Sequence, residues 1–151
     1  MYYFIDFDGT ITGFDIPYAG SLWEFWGRRL QVPVNMNIYQ LLKYNNYRVL
    51  TNNLKIERFN IRKYLKKFEI NDRCDDIICV NNFFRFKKMT KRGVAKKKAK
   101  VIFDFLRDKE ELLKKPLEEL YTYIDSDIEE TRYVNLEVEI LMHPFTYKYG
   151  G

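Results

Sequence analysis

The stretch that decides the fold reads Phe4-Ile5-Asp6-Phe7-Asp8-Gly9-Thr10-Ile11-Thr12. The apolar and aromatic run that leads into it, residues 1–5, is typical of a strand buried on both faces in the middle of a parallel sheet. The run ends in two carboxylates, Asp6 and Asp8. In open α/β sheets the functional residues lie at the carboxyl ends of strands. Two acidic side chains placed there repel each other unless a cation lies between them.

A simple Asp-Gly turn also explains Asp8 and Gly9. It does not explain Asp6, which lies inside the apolar run, where an unpaired charge is costly. The stretch resembles the first motif of the haloacid dehalogenase superfamily of phosphatases and phosphotransferases, an apolar strand that ends in Asp-x-Asp-Gly-Thr, and it matches that motif at every position. The resemblance implies that Asp6 is the nucleophile that forms an aspartyl-phosphate. It implies that Asp8 is first the general acid and then the general base.

A second apolar strand, Tyr47–Leu50, ends in Thr51-Asn52-Asn53. This resembles the second motif of the superfamily, which implies that the Thr51 hydroxyl and the Asn52 backbone N–H bind the transferring phosphoryl group. A helix beginning near Leu54 would direct its N-terminus at the same anion. The alternative is that Thr51 and Asn52 only cap that helix.

The third motif of the superfamily is a lysine near the start of the helix that follows the next strand. Its ammonium group neutralises the nucleophile and the phosphate oxygens. The spacing to Val101 and Ile102 selects Lys98, and Lys96, Lys97 and Lys100 remain open as alternatives.

The strand Tyr121–Ile124 is followed by Asp125-Ser126-Asp127, which resembles the acidic fourth motif. We therefore assign Asp125, with Asp6 and Asp8, to a Mg²⁺ site, and the carbonyl that follows Phe7 also suits this ion. Asp127 or Glu129 would hold a metal-bound water or the lysine. The alternative is an ordinary helix N-terminus rich in acidic residues.

The order of elements predicts an α/β fold, a Rossmann-like three-layer sandwich around a central, mostly parallel sheet. Residues 1–151 form a single domain in this prediction, because neither interval between motifs has room for a cap domain. The alternation of Leu136, Val138 and Ile140 with polar residues predicts an added C-terminal edge strand. Asp15 is predicted to cap a first helix with an inward stripe. That stripe consists of Leu22, Trp23, Trp26 and Leu30.

The helix from about Leu54 is predicted to turn Phe59, Ile61, Leu65 and Phe68 inward. The only histidine, His143, is interpreted as structural, since one histidine cannot form a zinc cluster or a serine-type triad. Cys74 and Cys79 are predicted to be reduced thiols.

The formal net charge of +5 and the pI of about 9.1 favour anionic partners, although solubility alone also explains them. Lys and Arg are densest in residues 85–100, either a basic loop that binds nucleic acid, with aromatic rings beside it, or a solvated loop entering a helix. The chain shows no charged-then-apolar leader and no apolar run of membrane length. We therefore expect a cytoplasmic protein with no membrane partner.

Together these patterns predict a Mg²⁺-dependent phosphomonoesterase that acts on a nucleotide or a nucleic-acid terminal phosphate. One alternative is a small-metabolite phosphatase whose open site is closed by homo-oligomerisation. Another is a non-catalytic module of the same fold that binds nucleic acid or protein.

Overall fold

The computed structural model describes residues 1–81 and 89–149, without the side chains of residue 113 and residues 144–149. The strands in these residues are Tyr2–Ile5 (β1), Tyr47–Leu54 (β2), Cys74–Asn81 (β3) and Tyr121–Ile124 (β4). The α-helices are Leu22–Arg29 (α1), Tyr39–Tyr44 (α2), Arg58–Lys67 (α3), Lys91–Leu106 (α4), Leu117–Leu120 (α5) and Ile128–Tyr149 (α6). Short 3₁₀ turns cover Lys55–Glu57 and Glu110–Leu113.

The four described strands form one parallel sheet in the order β3-β2-β1-β4. In the β2–β3 pair, Val49 lies opposite Ile77 and Thr51 lies opposite Cys79. Parallel neighbours need a crossover connection, and α3 supplies it between β2 and β3. The predicted α/β class with a parallel sheet is therefore confirmed, while the three-layer sandwich stays a prediction.

The chain divides into two compact units, each with its own core. The N-terminal unit is Ile5–Phe83, and its helix α3 packs against β3. The C-terminal unit joins Met1–Phe4 to Phe84–Gly151, and its core forms mainly between α4 and α6. The Phe105 ring of α4 also meets the rings of Tyr2 and Phe4 edge to face. The single capless domain predicted for residues 1–151 stays a prediction.

The edge strand predicted for Leu136, Val138 and Ile140 is wrong, because these residues lie within α6. Val134, Val138 and Met142 are buried, whereas Leu136 and Ile140 are exposed. Four-residue spacing marks one face of a helix, and this face packs within the C-terminal unit. Three alternating apolar residues were too short a pattern to outweigh the packing of α6 on α4.

The first helix begins later than predicted, and it buries a different face. Ser21 rather than Asp15 caps α1, since its hydroxyl oxygen accepts a backbone N–H of the first turn at 3.2 Å. Phe25 and Arg29 are buried, but Trp23 is 80% exposed. An arginine can take an inward position here because acidic partners, described below, surround its guanidinium group.

One further expectation about exposure is wrong. Phe59 is 71% exposed instead of inward, and the buried face of α3 consists of Asn60, Ile61, Tyr64 and Leu65. The basic segment, residues 85–100, is helical from Lys91, as the start of α4, which agrees with the alternative of a loop that enters a helix. Residues 85–88 lie outside the described part of the chain.

The structure also bears on the membrane and thiol predictions. None of the described helices has the length and apolar character needed to cross a membrane. Cys74 and Cys79 are free thiols, as predicted. Burial raises the pKa of each to about 11.

Candidate active site

The Asp6 stretch forms a tight turn directly after β1, over Phe7–Ile11. The turn closes where the Thr12 N–H donates to the Phe7 carbonyl at 3.1 Å. Gly9 has a φ of 74°, a left-handed conformation that only glycine adopts without strain. Its N–H donates to the Thr12 hydroxyl at 2.8 Å. The Asp-Gly-Thr sequence therefore builds the turn that presents the two predicted carboxylates.

Asp6, the predicted nucleophile, is half-buried at the start of this turn. The hydroxyl of buried Thr10 donates to Asp6 Oδ2 at 3.4 Å. Thr10 is itself held from the other side, because Asn35 Nδ2 donates to its carbonyl at 3.0 Å. This chain of contacts orients the Asp6 carboxylate relative to the turn.

Asp8 is held by two side chains that come from distant parts of the N-terminal unit. Arg29 binds both carboxylate oxygens, with Nε donating to Oδ1 at 3.1 Å and Nη2 donating to Oδ2 at 3.0 Å. Asn53 Nδ2 also donates to Oδ2, at 2.8 Å. A two-pronged arginine contact fixes the plane as well as the position of a carboxylate.

Arg29 is the centre of this network, although the sequence analysis did not select it. Its side chain is 2% exposed, and its Nη1 lies 3.4 Å from Glu57 Oε1. The guanidinium group also lies over the Phe25 ring, 4.6 Å from its centroid. One cation thus faces two acidic side chains, Asp8 and Glu57. No local sequence pattern could have found Arg29, because its partners are far away along the chain.

Thr51 lies within β2, which continues to Leu54 beyond the predicted end at Leu50, and it is 1% exposed. Asn53 Nδ2 donates to Thr51 Oγ1 at 2.6 Å, so the same amide bridges Thr51 and Asp8. The predicted neighbour Asn52 is exposed, and Asn53 is the asparagine that sequence reasoning missed. Two-residue alternation along β2 turns Thr51 and Asn53 to one face and Asn52 to the other.

The Thr51 hydroxyl keeps a hydrogen to donate. Among the described residues, the hydroxyl has one hydrogen-bond partner, the Asn53 amide. Asn53 donates this hydrogen bond, so it occupies a lone pair of the Thr51 oxygen and leaves the hydroxyl hydrogen available. A phosphoryl oxygen is an acceptor that would complete this hydroxyl.

In the C-terminal unit the structure separates the four candidate lysines. Lys98 is buried in α4 with its side chain 1% exposed, whereas Lys96 and Lys100 are exposed and Lys97 is partly exposed. Its ammonium group donates to the Tyr123 hydroxyl at 2.6 Å and lies 3.2 Å from a Glu130 carboxylate oxygen. The helical spacing of α4 explains the choice, since Val94 and Ile102 are buried on the same face.

Asp125 follows β4 directly and has a buried carboxylate. The Tyr123 hydroxyl donates to its Oδ2 at 2.7 Å, and the Asp127 N–H donates to its Oδ1 at 2.9 Å. The Lys98 ammonium nitrogen lies 3.8 Å from Oδ2, and one oxygen of Glu130 lies within 4.8 Å of an Asp125 oxygen. This lysine, tyrosine and two carboxylates form what we call the Lys98 cluster.

Asp127 or Glu129 was predicted to hold a metal-bound water or the site lysine, but the acid that pairs with Lys98 is Glu130. Asp127 and Glu129 instead pair with Lys91, at 2.9 and 3.3 Å. The hydrogen bond from Lys91 lowers the pKa of Asp127, as expected for a carboxylate beside a cation. Glu130 was missed because it lies within α6, where only helical geometry turns it towards Lys98.

The predicted residues therefore fall into two groups. Asp6, Asp8 and Thr51 are brought together in the N-terminal unit by one turn and one asparagine, and Lys98 and Asp125 meet in the C-terminal unit. Comparisons of this chain with protein-family models, with curated proteins and with solved structures give no match.

Proposed function

We propose that the protein is a Mg²⁺-dependent phosphomonoesterase that forms an aspartyl-phosphate on Asp6. The observation that carries this proposal is the Asn53 amide, which joins Asp8 to Thr51. These two residues come from two motifs that are more than 40 residues apart in sequence. In the proposed reaction Asp8 transfers protons and Thr51 binds phosphate. Both accept a hydrogen bond from the same side chain, Asn53.

The residues suit two consecutive displacements at phosphorus. First, a carboxylate oxygen of Asp6 bonds to phosphorus while the ester P–O bond breaks, and the leaving alkoxide takes a proton from the Asp8 carboxyl group. Second, water attacks the same phosphorus, Asp8 accepts its proton, and the bond to Asp6 breaks. The products are an alcohol and inorganic phosphate. Arg29 keeps the Asp8 carboxylate in one orientation through both steps.

The chemistry of the donors fits Mg²⁺, which prefers carboxylate, carbonyl and water oxygens. Asp6 and Asp125 would bind the ion with their carboxylates. The Asp8 carboxylate is already engaged by Arg29 and Asn53, so Asp8 would contribute its backbone carbonyl. When bound, the ion neutralises nucleophile and phosphate, which would otherwise repel each other.

The sheet order supports the joint use of both strands. β1 and β4 are neighbours and run parallel, and Asp125 follows β4 directly just as Asp6 follows β1. Functional groups of such sheets gather at the carboxyl ends of the strands. Lys98, which lies beside Asp125, is assigned to the charge of the phosphate.

The test is phosphate release from an aryl phosphate with Mg²⁺ and with EDTA, for the natural protein and for Asp6→Asn. We expect Mg²⁺-dependent turnover that falls by several orders of magnitude in Asp6→Asn, because an amide is a poor nucleophile. Asp72→Asn, an exposed acid within the same unit, is the control and should keep full turnover.

The intermediate can be sought directly. Acid quenching during turnover of a radiolabelled substrate should leave label on the protein that hydroxylamine removes, since acyl phosphates react with it. Asp6→Asn should carry no such label. Near-native turnover in Asp6→Asn would refute the mechanism. Further assays on free nucleotides and on oligonucleotides with 3′ or 5′ phosphates would identify the substrate.

A further inference from the structure

A surface on α1 and α3 combines exposed aromatic rings with unpaired cations, and we propose that it binds single-stranded nucleic acid. We call it the α1/α3 face and define it by Trp23, Lys55, Phe59, Arg62, Lys63 and Lys66. It extends the proposed function by naming the substrate class. As a binding surface it can nevertheless be measured without catalysis.

Two rings on this face lie open to solvent. Trp23 is 80% exposed and Phe59 is 71% exposed. Aromatic rings this exposed lose most of the free energy that burial would supply, and large exposed apolar groups mark interaction sites when they occur together. The Trp23 ring meets the Trp26 ring edge to face, with 5.8 Å between their centroids.

Contacts between the two helices place these rings on one side of the N-terminal unit. Trp26 Nε1 donates to Glu57 at 3.4 Å, and Glu57 stands two residues before Phe59. At the other end, Lys67 Nζ donates to the Leu30 carbonyl at 2.7 Å. The end of α1 is therefore tied to the residue before α3 and to the last residue of α3, and Trp23 lies one helical turn before Trp26, at the end of this connection nearest the start of α3.

The charge of this face points to a polyanion. Within residues 54–68, all of which the structure describes, Glu57 is the only acid, and it is buried against Arg29. Arg58 pairs with Asp76, and Lys67 is bonded to a carbonyl. Four exposed cations remain on the face, namely Lys55, Arg62, Lys63 and Lys66.

Helical spacing brings rings and cations into one strip. Phe59, Arg62, Lys63 and Lys66 are separated by three or four residues, which places them on the same side of α3. Alternating aromatic rings and cations are the combination that binds single strands, since bases stack on the rings while phosphates meet the cations. In a duplex the base faces are already stacked on each other, so exposed rings favour single strands over duplexes.

The face is connected to the proposed chemistry within the same unit. Arg29 contacts Asp8 with one side of its guanidinium group and Glu57 with another, and Glu57 accepts the hydrogen bond from Trp26. Three polar contacts thus lead from the turn that carries Asp6 to the aromatic surface. The face and the turn that carries Asp6 therefore belong to the same unit and are joined by polar contacts.

The test measures fluorescence anisotropy of labelled oligo(dT) and oligo(U) of about 20 nucleotides, titrated with the whole protein in EDTA so that no hydrolysis occurs. We expect both to bind, and a Trp23→Ala/Phe59→Ala variant to bind about tenfold or more weakly, from the loss of stacking. The matched control is Tyr44→Ala, an exposed ring on α2, which should not change affinity. Comparing the affinities for oligo(dT) and oligo(U) shows whether the face prefers DNA or RNA.

The salt dependence of binding by a charge variant gives a second test. Arg62→Gln/Lys66→Gln should lower the slope of log K against log salt by about 0.7 for each cation that contacts a phosphate. Lys114→Gln/Lys115→Gln, two exposed cations elsewhere, should leave the slope unchanged. Intrinsic tryptophan emission should fall on binding, and the fall should be mostly lost in Trp23→Phe.

Several results would overturn the proposal. They are absence of binding by the natural protein, equal affinity of Trp23→Ala/Phe59→Ala and Tyr44→Ala, or tighter binding to a duplex than to either single strand. Self-association that Trp23→Ala/Phe59→Ala abolishes, without oligonucleotide binding, would identify the face as an interface between copies. Aryl phosphate turnover is independent of this face, so a failed phosphatase assay and a failed binding assay are distinguishable.

Discussion

Arg29 is a buried cation that pairs with Asp8 and Glu57. Replacing it with methionine leaves a buried Glu57 and a partly buried Asp8 without their cation. We expect Arg29→Met to lower the free energy of unfolding by about 3–5 kcal/mol, the usual loss when one member of a buried ion pair is removed. Urea unfolding followed by circular dichroism measures this change.

Arg28 is the matched control, since it is exposed and donates only to the Ala19 carbonyl. Arg28→Met should change stability by less than about 1 kcal/mol. Equal effects of Arg28→Met and Arg29→Met would show that the ion pairs of Arg29 contribute nothing beyond its position on α1.

The two thiols give a prediction in pH. Burial raises the pKa of Cys74 and Cys79 from 9.0 to about 11, which means that the neutral thiol is favoured in the folded protein. Because only the thiolate reacts, alkylation by iodoacetamide at about pH 8 should be about two orders of magnitude slower than for free cysteine. Mass spectrometry after timed quenching measures the rate.

The same shift acts on stability at high pH. The unfolded chain releases these protons near its ordinary pKa, whereas the folded protein holds them until about pH 11. Stability should therefore fall as pH rises between about 9 and 11. Urea-unfolded protein should alkylate at the ordinary rate, and fast alkylation of the folded protein at about pH 8 would contradict the burial of the thiols.

At the scale of elements, α6 offers a direct comparison of helix against strand. Val138 and Leu136 would share one face of a strand, but in the helix Val138 is buried and Leu136 is exposed. Val138→Asp should therefore destabilise the protein by several kcal/mol, because it buries an unpaired charge. Leu136→Asp should change stability by less than about 0.5 kcal/mol. Thermal unfolding of both variants measures these changes in stability. Similar losses of stability in the two variants would favour a strand over a helix.

The sequence predicted elements well where local signals were strong. The apolar runs before Asp6, Thr51 and Asp125 are strands, as predicted, because short β-branched and aromatic runs between polar ends have few alternatives. Helix faces were harder. Trp23 and Phe59 were placed inward because they are apolar, but burial in α1 and α3 follows the partners that each helix meets.

For the whole molecule, Mg²⁺ provides the broadest prediction. An ion that binds the folded chain and not the unfolded chain raises the melting temperature as its concentration rises. We expect millimolar Mg²⁺ to stabilise the natural protein, and Asp125→Asn to reduce this gain. Differential scanning fluorimetry with Mg²⁺ and with EDTA measures both. Asp72→Asn is the control, and an equal Mg²⁺ gain in Asp125→Asn would remove Asp125 from the proposed ion site.

Across the whole chain, sequence reasoning named side chains and missed their supports. Asp8, Thr51 and Lys98 belong to motifs and could be selected from local order. Arg29, Asn53 and Glu130 hold them through contacts between residues 21, 2 and 32 positions away along the chain. Strand alternation accounts for Asn53, but the contacts of Arg29 and Glu130 depend on which elements pack together, which no short pattern determines.

The Asn53 side chain has only one acceptable orientation. Its nitrogen serves Asp8 and Thr51, and its oxygen receives Arg29 Nη2 at 2.6 Å. Turning the amide over would set oxygen against a carboxylate and nitrogen against a guanidinium, so the swap is forbidden electrostatically. Asn53 thereby acts as a spacer with one fixed orientation, and it leaves the hydroxyl hydrogen of Thr51 free to donate. The substitution Asn53→Asp would keep the shape of this spacer and give it the wrong polarity.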